Sequence, residues 1–510
     1  MEQRIDVSLG RWMAERSARA PRRRAISFEG STRTYGDLQE RIDRLAAALR
    51  AGGVRHGDRV GYLGMNHPAF LETMFAASRL GAIFVPLNFR LTGPEITFIC
   101  EDAGLHTLVA DAAHQQLADS VRSDLSVRRL VSSEAARPGW ESLDELVGAH
   151  DPIEAADEVD ADEVAVIMYT SGTTGRPKGA MLTHANLWWN NVNGMLTLDV
   201  MEDDVTLVAA PLFHIGGLNV TTLITLQKGG EVVLQRSFDP GACLEAIPHH
   251  GVTTMFGVPA MFLFMSQHPG FADADLTSLR MLVCGGAPVP EPLIKLYNSR
   301  GVPIQQGYGL TETSPMVSFL TSEWALAKVG SAGRPPILTE VRLVDASGAP
   351  VSGAGERGEV CVRGPNVMKG YWNQQAATAE AIDEAGWFHT GDVGYIDEDG
   401  FLYLVDRLKD MIITGGENVY PAEVESVLYD HPAIAEVAVI GMPDERWGES
   451  VAAVAVLAKG ADLTLDELRE FAKPNLAAYK LPTRLELVAA LPRNPAGKIL
   501  KTELRERFGG

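Results

Sequence analysis

Short apolar runs alternate with amphipathic stretches along the first 300 residues of the chain. The run Arg59–Leu63 is followed by a break at 66–68, an amphipathic stretch that ends at Leu80, and a second apolar run at 82–86. Similar runs, flanked by Gly, Pro or Asp, recur at 163–169, 206–210, 253–256 and 280–284. Because apolar strands that alternate with helices build parallel sheets covered on both faces, the pattern predicts an α/β fold.

The pattern changes after residue 330, where strand-like segments are separated by Gly-rich turns. These segments lie at 340–344, 358–363 and 394–405, and they predict a small β-rich subdomain. Further along, predicted helices at 421–429 and 464–471 enclose predicted strands at 434–440 and 451–457. This last arrangement is typical of a compact α+β domain.

The chain is therefore predicted to form two domains. The large N-terminal domain, residues 1–406, contains two parallel-sheet α/β subdomains and the β-rich subdomain at about 330–406. The small α+β domain covers residues 407–510. Because no low-complexity linker separates the two domains, we expect a short hinge at 407–410.

Composition narrows the functional classes. The 510 residues carry a formal net charge of -21, which would repel nucleic acid phosphates and anionic membrane surfaces. The four cysteines lie far apart without a CxxC pair, so neither a disulfide framework nor a zinc site is predicted. No window approaches the roughly 18 apolar residues of a membrane span, and no apolar signal segment opens the chain. We therefore expect a cytoplasmic globular protein.

A loop rich in Gly and Thr follows the apolar strand that ends at Met168. It reads Tyr-Thr-Ser-Gly-Thr-Thr-Gly-Arg-Pro-Lys over residues 169–178. Small residues let backbone N–H groups approach phosphate oxygens, the hydroxyls add donors, and Lys178 adds positive charge. The loop is not a Walker A motif, because Lys178 follows a proline and precedes Gly179. It predicts a phosphate-binding site of another kind.

A second specific string, Gln-Gly-Tyr-Gly-Leu-Thr-Glu, covers residues 306–312. Its glycine spacing begins like a dinucleotide-binding fingerprint, but Glu312 stands where that motif needs its third glycine. A carboxylate here instead suits a hard cation that bridges phosphate oxygens. The string therefore predicts a metal ligand at Glu312.

The loop at 169–178 resembles the phosphate-binding signature of the adenylate-forming superfamily, and the resemblance covers essentially the whole chain. That superfamily includes acyl-CoA synthetases, nonribosomal peptide adenylation domains and beetle luciferases. The resemblance implies a carboxylic acid–CoA ligase: ATP and the acid give an acyl-adenylate and pyrophosphate, and coenzyme A then gives the thioester and AMP. It also implies a requirement for Mg²⁺, a mobile C-terminal domain, and a monomer or homodimer.

The resemblance assigns roles to individual residues around the nucleotide. Tyr308 is expected to stack on adenine, Thr311 to contact the α-phosphate, and Asp392 and Arg407 to bind the ribose. The full set expected at ATP or AMP is Thr170, Ser171, Gly172, Thr173, Thr174, Gly175, Lys178, Gly285, Gly286, Ala287, Pro288, Gln306, Gly307, Tyr308, Gly309, Thr311, Asp392, Arg407 and Lys498.

The same resemblance implies the catalytic and conformational residues. Lys498, in the C-terminal segment, corresponds to the family's catalytic lysine, and Lys409 corresponds to its domain hinge. The residues expected to face coenzyme A are Gly415, Gly416 and Glu417. The expected catalytic set is Lys498, His214, Thr311 and Glu312, of which Glu312 is the metal ligand.

The acid pocket is expected where a Phe-His pair precedes two glycines. The candidate residues are His214, Gly216, Gly217, Val220, Phe256, Gly257, Val258, Met261, Pro315 and Met316. Apart from His214, these side chains are apolar or absent, so they indicate a hydrophobic acid of some bulk, either a fatty acid or an aryl acid such as a hydroxycinnamate. Plant coumarate-CoA ligases usually have Tyr where Gly216 stands, which favours a wider pocket here.

Other functions within and outside the superfamily remain open. The acyl group could pass to a carrier protein instead of coenzyme A, although amino-acid-adenylating modules commonly place Asp where His214 stands. A luciferase-like monooxygenase or a non-catalytic binding protein is a further alternative. The binding protein is disfavoured by the joint retention of Lys178, Glu312, Asp392, Arg407 and Lys498. One departure from the family is Pro474, which stands where a helix usually continues.

Overall fold

The computed structural model describes residues 6–124, 127–170, 177–287, 289–407, 410–414, 417–444, 448–493 and 499–508. Contacts between Cα atoms divide the chain into two units. The first comprises residues 1–341 and 362–388, and the second comprises residues 342–361 and 389–510. The expected domain boundary at residue 406 stays a prediction, and each unit is described by itself.

The strands of the described residues are, in chain order, β1 (Arg24–Phe28), β2 (Ser31–Thr34), β3 (Arg59–Leu63), β4 (Ile83–Leu87), β5 (Leu105–Ala110), β6 (Arg129–Ser132), β7 (Glu141–Ser142), β8 (Val164–Thr170), β9 (Lys178–Thr183), β10 (Val205–Val208), β11 (Glu231–Leu234), β12 (Thr254–Gly257), β13 (Met281–Gly285), β14 (Ile304–Gly309), β15 (Met316–Leu320), β16 (Glu340–Val344), β17 (Pro350–Val351), β18 (Arg357–Arg363), β19 (Gly370–Tyr371), β20 (Phe388–Ile396), β21 (Leu402–Arg407), β22 (Ile412–Thr414), β23 (Glu417–Val419), β24 (Ile434–Asp444), β25 (Gly448–Leu457) and β26 (Arg484–Leu487).

The α-helices of the same residues are α1 (Leu9–Arg19), α2 (Tyr35–Ala51), α3 (Pro68–Arg79), α4 (Gly93–Ala103), α5 (Gln115–Ser120), α6 (Leu143–Ala149), α7 (His184–Thr197), α8 (Leu223–Lys228), α9 (Pro240–His250), α10 (Pro259–Gln267), α11 (Glu291–Ser299), α12 (Gln375–Ala381), α13 (Pro421–Tyr429), α14 (Leu465–Ala472) and α15 (Lys501–Phe508). Their starts follow ordinary capping chemistry. Thr183, for example, accepts a hydrogen bond from the backbone N–H of Asn186 at the start of α7. A π-helical turn, Gly217–Thr222, precedes α8.

Two eight-stranded sheets form the first unit. The first large sheet has the strand order β19-β9-β8-β4-β3-β5-β6-β7, and the second has the order β15-β14-β13-β12-β10-β11-β1-β2. The inner strands of both sheets are parallel, whereas β9 and β19 in the first sheet and β2 and β15 in the second pair antiparallel. The predicted α/β class is confirmed, and the antiparallel edge strands are an addition that the sequence pattern did not show.

The core of the first unit explains why its parallel strands are almost entirely apolar. Helices α1, α2 and α3 bury residues such as Leu9, Leu38 and Phe70 against Phe84 and Val166 of the first large sheet. Strands buried on both faces exclude water from their whole length, so they read as continuous apolar runs in the sequence. The second large sheet has its own apolar core, which includes Met255, Leu282 and Ile304.

The second unit contains two smaller sheets. One has the order β17-β16-β18-β20-β21, and the other has the order β23-β22-β25-β24 with β26 paired to β25. Helix α14 ends at Ala472, just before Pro474, whose ring would clash with a continued helix. Among the described residues, no helix is long and apolar enough to span a membrane.

Candidate active site

Each large sheet contains a hairpin that carries one of the two specific sequence strings. In the first sheet, β8 ends at Thr170 and β9 begins at Lys178, and these two residues are partners in the antiparallel register. Because the intervening segment 171–176 lies outside the described residues, the roles expected of Ser171, Gly172, Thr173, Thr174 and Gly175 stay predictions.

In the second sheet, β14 leads into a short 3-10 turn that contains Glu312, and β15 returns antiparallel to it. The turn is held by the protein's own polar groups. The Thr313 hydroxyl donates to the carbonyl of Pro315 at 2.6 Å, and Asn366 Nδ2 donates to the carbonyls of Thr313 and Met316, each at 2.7 Å. The carboxylate of Glu312 is therefore presented from a rigid turn.

Close packing requires a glycine at the end of β14. A Cβ atom on Gly309 would lie 1.7 Å from the carbonyl oxygen of Pro315, well inside van der Waals contact. Leu310 N–H donates to the same carbonyl at 3.1 Å, which keeps the two chain segments together. Gly309 was predicted as a nucleotide contact, and the structure adds a packing reason for its identity.

The surroundings of Glu312 fit a bound divalent cation. The side chain is buried, and its Oε1 accepts a hydrogen bond from the Tyr371 hydroxyl at 3.0 Å and lies 3.5 Å from Thr170 Oγ1. A buried carboxylate with hydroxyl neighbours is of the ligand type that a hard metal ion prefers.

Lys178 lies close to the same group of residues. Its ammonium nitrogen is 5.0 Å from the centre of the Tyr371 ring, within the range of a cation–π contact. Tyr371 could not be recognised from the sequence, because a tyrosine in a Gly-Tyr-Trp segment carries no chemical signature of its own. Thr170, Lys178, Glu312 and Tyr371 are thus brought together within the first unit.

The strand ends beside this cluster come close enough to exclude side chains. Gly285 and Gly307 are register partners in β13 and β14, and a Cβ atom on Gly285 would lie 2.9 Å from the Gly307 carbonyl oxygen. Gly286 has a φ of +86°, which favours glycine. Gly286 and Ala287 are exposed, whereas Tyr308 is partly exposed. These positions suit the backbone contact expected at adenine, and Pro288 lies outside the described residues.

Tyr308, Thr311 and Gln306 share this edge of the second large sheet. Gln306 and Tyr308 lie on β14, and Thr311 opens the 3-10 turn. Gln306 is buried, and its Nε2 has no hydrogen-bond partner among the described residues. Their roles toward ATP stay predictions.

His214 combines a buried polar atom with a lowered pKa. Burial, with a smaller effect from Arg90, lowers the pKa of His214 to about 4, so its imidazole is neutral at pH 7. Although the residue as a whole is partly exposed, its Nε2 is buried and has no hydrogen-bond partner in the described part of the chain. A buried ring nitrogen in this condition is a candidate to bind a polar group of a ligand.

The Phe256 ring lies between Gly216 of the expected acid pocket and Gly285 of the expected nucleotide site. A Cβ atom on Gly216 would be 2.8 Å from Phe256 Cζ, and one on Gly285 would be 3.6 Å from Phe256 Cε2. Gly217 begins the π-helical turn, and a Cβ atom there would be 2.2 Å from the Pro211 carbonyl oxygen. A side chain is therefore excluded at Gly217 by backbone, whereas at Gly216 it would require the Phe256 ring to shift.

The remaining pocket candidates divide by burial. Val220, Met261 and Met316 belong to the apolar core of the second large sheet, whereas Val258 is 37% exposed. A Cβ atom on Gly257 would be 3.0 Å from Phe262 Cζ. Any acid pocket formed here is therefore backed by a packed core, and the role of each residue stays a prediction.

In the second unit, strand β20 carries the buried side chain of Asp392. Thr390 Oγ1 donates to the Val360 carbonyl at 2.7 Å and accepts from the Asp392 N–H at 3.0 Å. Glu359 accepts from the Gly391 N–H at 3.0 Å and pairs with His389 Nδ1 at 2.9 Å. These contacts fix the part of β20 that carries Asp392, whose expected role at the ribose stays a prediction.

Several other predicted residues cannot be placed in full. Asp392 and Arg407 are register partners in β20 and β21, as their shared role at the ribose would need, but the Arg407 side chain is outside the described set. The same holds for the Glu417 side chain. Lys409, Gly415, Gly416 and Lys498 lie outside the described residues altogether, so their expected roles stay predictions.

Comparison with known proteins places this geometry among enzymes that activate acids. The model of the AMP-binding enzyme family matches residues 13–372, and that of the AMP-binding enzyme C-terminal domain matches residues 423–498. The chain is 50% identical over 502 residues to the feruloyl-CoA synthase of Amycolatopsis sp, covering 98% of this chain and 99% of that protein. It is 40% identical over 500 residues to a long-chain-fatty-acid–CoA ligase of Mycobacterium tuberculosis, covering 98% of both.

Solved structures give the same result. The o-succinylbenzoate coenzyme A synthetase of Bacillus subtilis, in complex with ATP and magnesium ion, matches with a TM-score of 0.87 at 35% identity. The match covers 97% of this chain and 99% of that chain.

Proposed function

This chain belongs to the AMP-binding enzyme family and is an ATP-dependent acid–CoA ligase that uses Mg²⁺, and we propose that its acid is aromatic, of the hydroxycinnamate class. The observation that carries the proposal is the arrangement of Gly216, Phe256 and His214. The Phe256 ring lies against Gly216, which has no side chain. The Nε2 atom of the neutral His214, two residues before Gly216 in the chain, is buried. A flat acid with one polar end suits an apolar pocket of this kind.

The proposed reaction has two steps. The acid carboxylate attacks the α-phosphorus of ATP, and pyrophosphate leaves with the electrons of the broken P–O bond. The thiol of coenzyme A, losing its proton, then attacks the acyl carbonyl and displaces AMP. Neither step needs a protein nucleophile, so the protein contributes chiefly by positioning the reactants and stabilising developing negative charge.

Residues of the first unit supply the groups for the first step. Lys178 and the hydroxyl of Thr311 bind phosphate oxygens, and Glu312 holds Mg²⁺, which adds positive charge to those oxygens when bound. The exposed backbone at Gly286 and Ala287 forms the surface on which adenine rests. Coenzyme A, rather than a carrier protein, is the acceptor.

The roles of the C-terminal residues in the mechanism are proposed from the sequence. Lys498 stabilises charge in the adenylation step, and rotation about Lys409 then brings Gly415 and Gly416 to the thiol of coenzyme A. Substitution Lys409→Pro is expected to spare pyrophosphate release and suppress thioester formation. An equal loss in both half-reactions would contradict the hinge. A monomer or homodimer in the cytoplasm is likewise proposed; the four cysteines, all buried thiols, fit a reducing compartment.

A fatty acid is the second candidate substrate. It is favoured by the similarity to the fatty-acid–CoA ligase and by the apolar core behind Val220, Met261 and Met316, whose flexible methionines adapt to varied shapes. An aryl acid is preferred because the chain is more similar to the feruloyl-CoA synthase, at 50% identity.

The experiment that separates the two measures thioester formation with ATP, Mg²⁺ and coenzyme A against acetate, octanoate, palmitate, benzoate and ferulate. The proposal expects ferulate to have the highest kcat/KM. Gly216→Ala is the matched variant, because its new methyl group meets the Phe256 ring and should lower kcat/KM for ferulate roughly 10-fold while changing that for acetate little. Highest activity with palmitate or octanoate would reject the aryl proposal in favour of the fatty acid.

A further inference from the structure

Tyr371 contacts the two oppositely charged residues of the active site with two different parts of its side chain. Its hydroxyl donates to Glu312 Oε1 at 3.0 Å, and its ring centre lies 5.0 Å from the ammonium nitrogen of Lys178. One residue thus touches both the carboxylate proposed for Mg²⁺ and the cation proposed for phosphate.

The backbone around Tyr371 joins the two hairpins that carry these charges. Met368 N–H donates to the carbonyl of Glu312 at 2.8 Å, on the side of the second large sheet. Lys369 N–H donates to the Met181 carbonyl at 2.9 Å, and Trp372 N–H donates to the Gly179 carbonyl at 2.8 Å, both on β9. The segment 368–372 therefore fixes one hairpin relative to the other.

Tyr371 itself has little freedom to move. It pairs with Ala180 in the antiparallel register of β19 and β9, and its N–H donates to Thr378 Oγ1 at 2.8 Å. The preceding Gly370 has a φ of +141°, and a Cβ atom there would lie 2.5 Å from the Thr378 side chain. A side chain anchored in this way can hold its neighbours in place at small entropic cost.

We propose that Tyr371 is a positioning residue for the ligase reaction, whose hydroxyl orients Glu312 toward Mg²⁺ and whose ring seats Lys178 against the phosphates of ATP. The inference rests on the proposed roles of Glu312 and Lys178. Partners that hydrogen-bond a ligating carboxylate fix its orientation, and their loss typically weakens metal affinity about 10- to 100-fold. The two functions of Tyr371 are separable, because removal of the hydroxyl leaves the ring in place.

The test compares Tyr371→Phe with Tyr371→Leu by binding instead of turnover. Free Mn²⁺, used as the probe for Mg²⁺, is followed by electron paramagnetic resonance in the presence of protein and a non-hydrolysable ATP analogue, and metal-free ATP binding is measured by calorimetry. Tyr371→Phe should raise the Mn²⁺ dissociation constant about 10-fold or more and leave metal-free ATP binding nearly unchanged. Tyr371→Leu should in addition weaken metal-free ATP binding a few-fold, because Lys178 loses its aromatic support.

Two further variants make the outcome decisive. Tyr395→Phe is the matched control, since Tyr395 stacks on Tyr403 in the second unit at 4.9 Å and should leave both affinities unchanged. Glu312→Gln tests the premise. If Glu312→Gln weakens Mn²⁺ binding and Tyr371→Phe does not, the role of Tyr371 is refuted and that of Glu312 stands. If Glu312→Gln leaves Mn²⁺ binding intact, the metal role of Glu312 fails, and the inference fails with it.

A general loss of structure would also overturn the inference. If Tyr371→Phe lowered the Tm and reduced Mn²⁺ and metal-free ATP affinities in parallel, Tyr371 would be a packing residue only. Recovery of Tyr371→Phe turnover at raised Mg²⁺, with an unchanged Tm, is the result that the positioning role requires.

Discussion

The two large sheets use the same topology to present opposite charges. In each, a parallel strand ends in a specific string and an antiparallel strand returns: β8 to β9 around the phosphate loop, and β14 to β15 around Glu312. The first hairpin begins its return strand with a cation, Lys178, and the second places a carboxylate on a tightly bonded turn. Ligands of α/β sheets bind beyond the carboxyl ends of the parallel strands, and here one hairpin is suited to anionic phosphate and the other to its counter-cation.

Among the substitutions that test this division of charge, Glu312→Gln should have the largest effect on activity. The amide keeps the size of the side chain but removes the charge proposed to hold Mg²⁺, so kcat/KM for pyrophosphate release should fall roughly 100- to 1,000-fold. Pyrophosphate release with the preferred acid is the measurement. Glu340→Gln is the control, because Glu340 is exposed and pairs with Arg363. If the effect were no larger than that of the control, the Glu312 carboxylate would have no role in the reaction.

Lys178→Met should have a smaller effect, and of a different kind. The hydrophobic stem is kept while the ammonium group is lost, so the KM for ATP should rise about 10- to 100-fold while the Mg²⁺ dependence stays as in the parent. Initial rates over a grid of ATP and Mg²⁺ concentrations separate the KM for ATP from the Mg²⁺ dependence. Lys295→Met, at an exposed ion pair with Glu291, serves as control. A change in Mg²⁺ dependence equal to that of Glu312→Gln would show that the two hairpins do not divide the task.

Gly309→Ala tests the rigidity of the second hairpin. The new methyl group would meet the Pro315 carbonyl, so the free energy of unfolding should fall by about 2 kcal/mol, as for other overpacked sites. Urea denaturation measures the change. Gly148→Ala in α6 is the control, because no atom lies within 4 Å of its added Cβ and the change should be neutral or slightly stabilising. Equal stabilities of the two variants would mean that the turn accommodates a side chain.

The sequence predicted the parts of this architecture that depend on local pattern. Strands β3 and β16 and helix α13 lie where apolar runs, Gly-rich turns and Pro421 indicated them. The hydrogen bond between Tyr371 and Glu312 was beyond such reasoning, because it joins residues 59 positions apart and a strand of two residues has no periodicity. The sequence also singled out Gly309 but did not show why a glycine is needed there. The contact with Pro315 that excludes a side chain exists only once the hairpin of β14 and β15 has formed.

Two histidines, each following a strand of one large sheet, should have the smallest effects when substituted. His184 follows β9 and is fully buried, and its Nδ1 accepts a hydrogen bond from the Leu9 N–H at 3.1 Å. His214 follows β10, and its Nε2 has no partner among the described residues. Burial lowers the pKa of both to about 4. The first is therefore a structural acceptor, and the second is proposed to face the acid.

Their titration should make the protein less stable in acid. With a folded-state pKa of about 4 and an unfolded value near 6.5, the unfolded chain binds more protons below pH 6.5, so stability is complete above about pH 7 and declines from pH 6.5 toward pH 4. The loss carried by His184 should be about 1–2 kcal/mol at pH 5, measured by urea denaturation at pH 7.5 and 5.0. His214→Phe should reduce the pH dependence while costing little stability at pH 7.5, whereas His184→Phe should cost stability at both pH values because the Leu9 N–H loses its acceptor. Identical behaviour of the two variants at pH 7.5 would contradict the distinction between a structural histidine in one sheet and a ligand-facing one in the other.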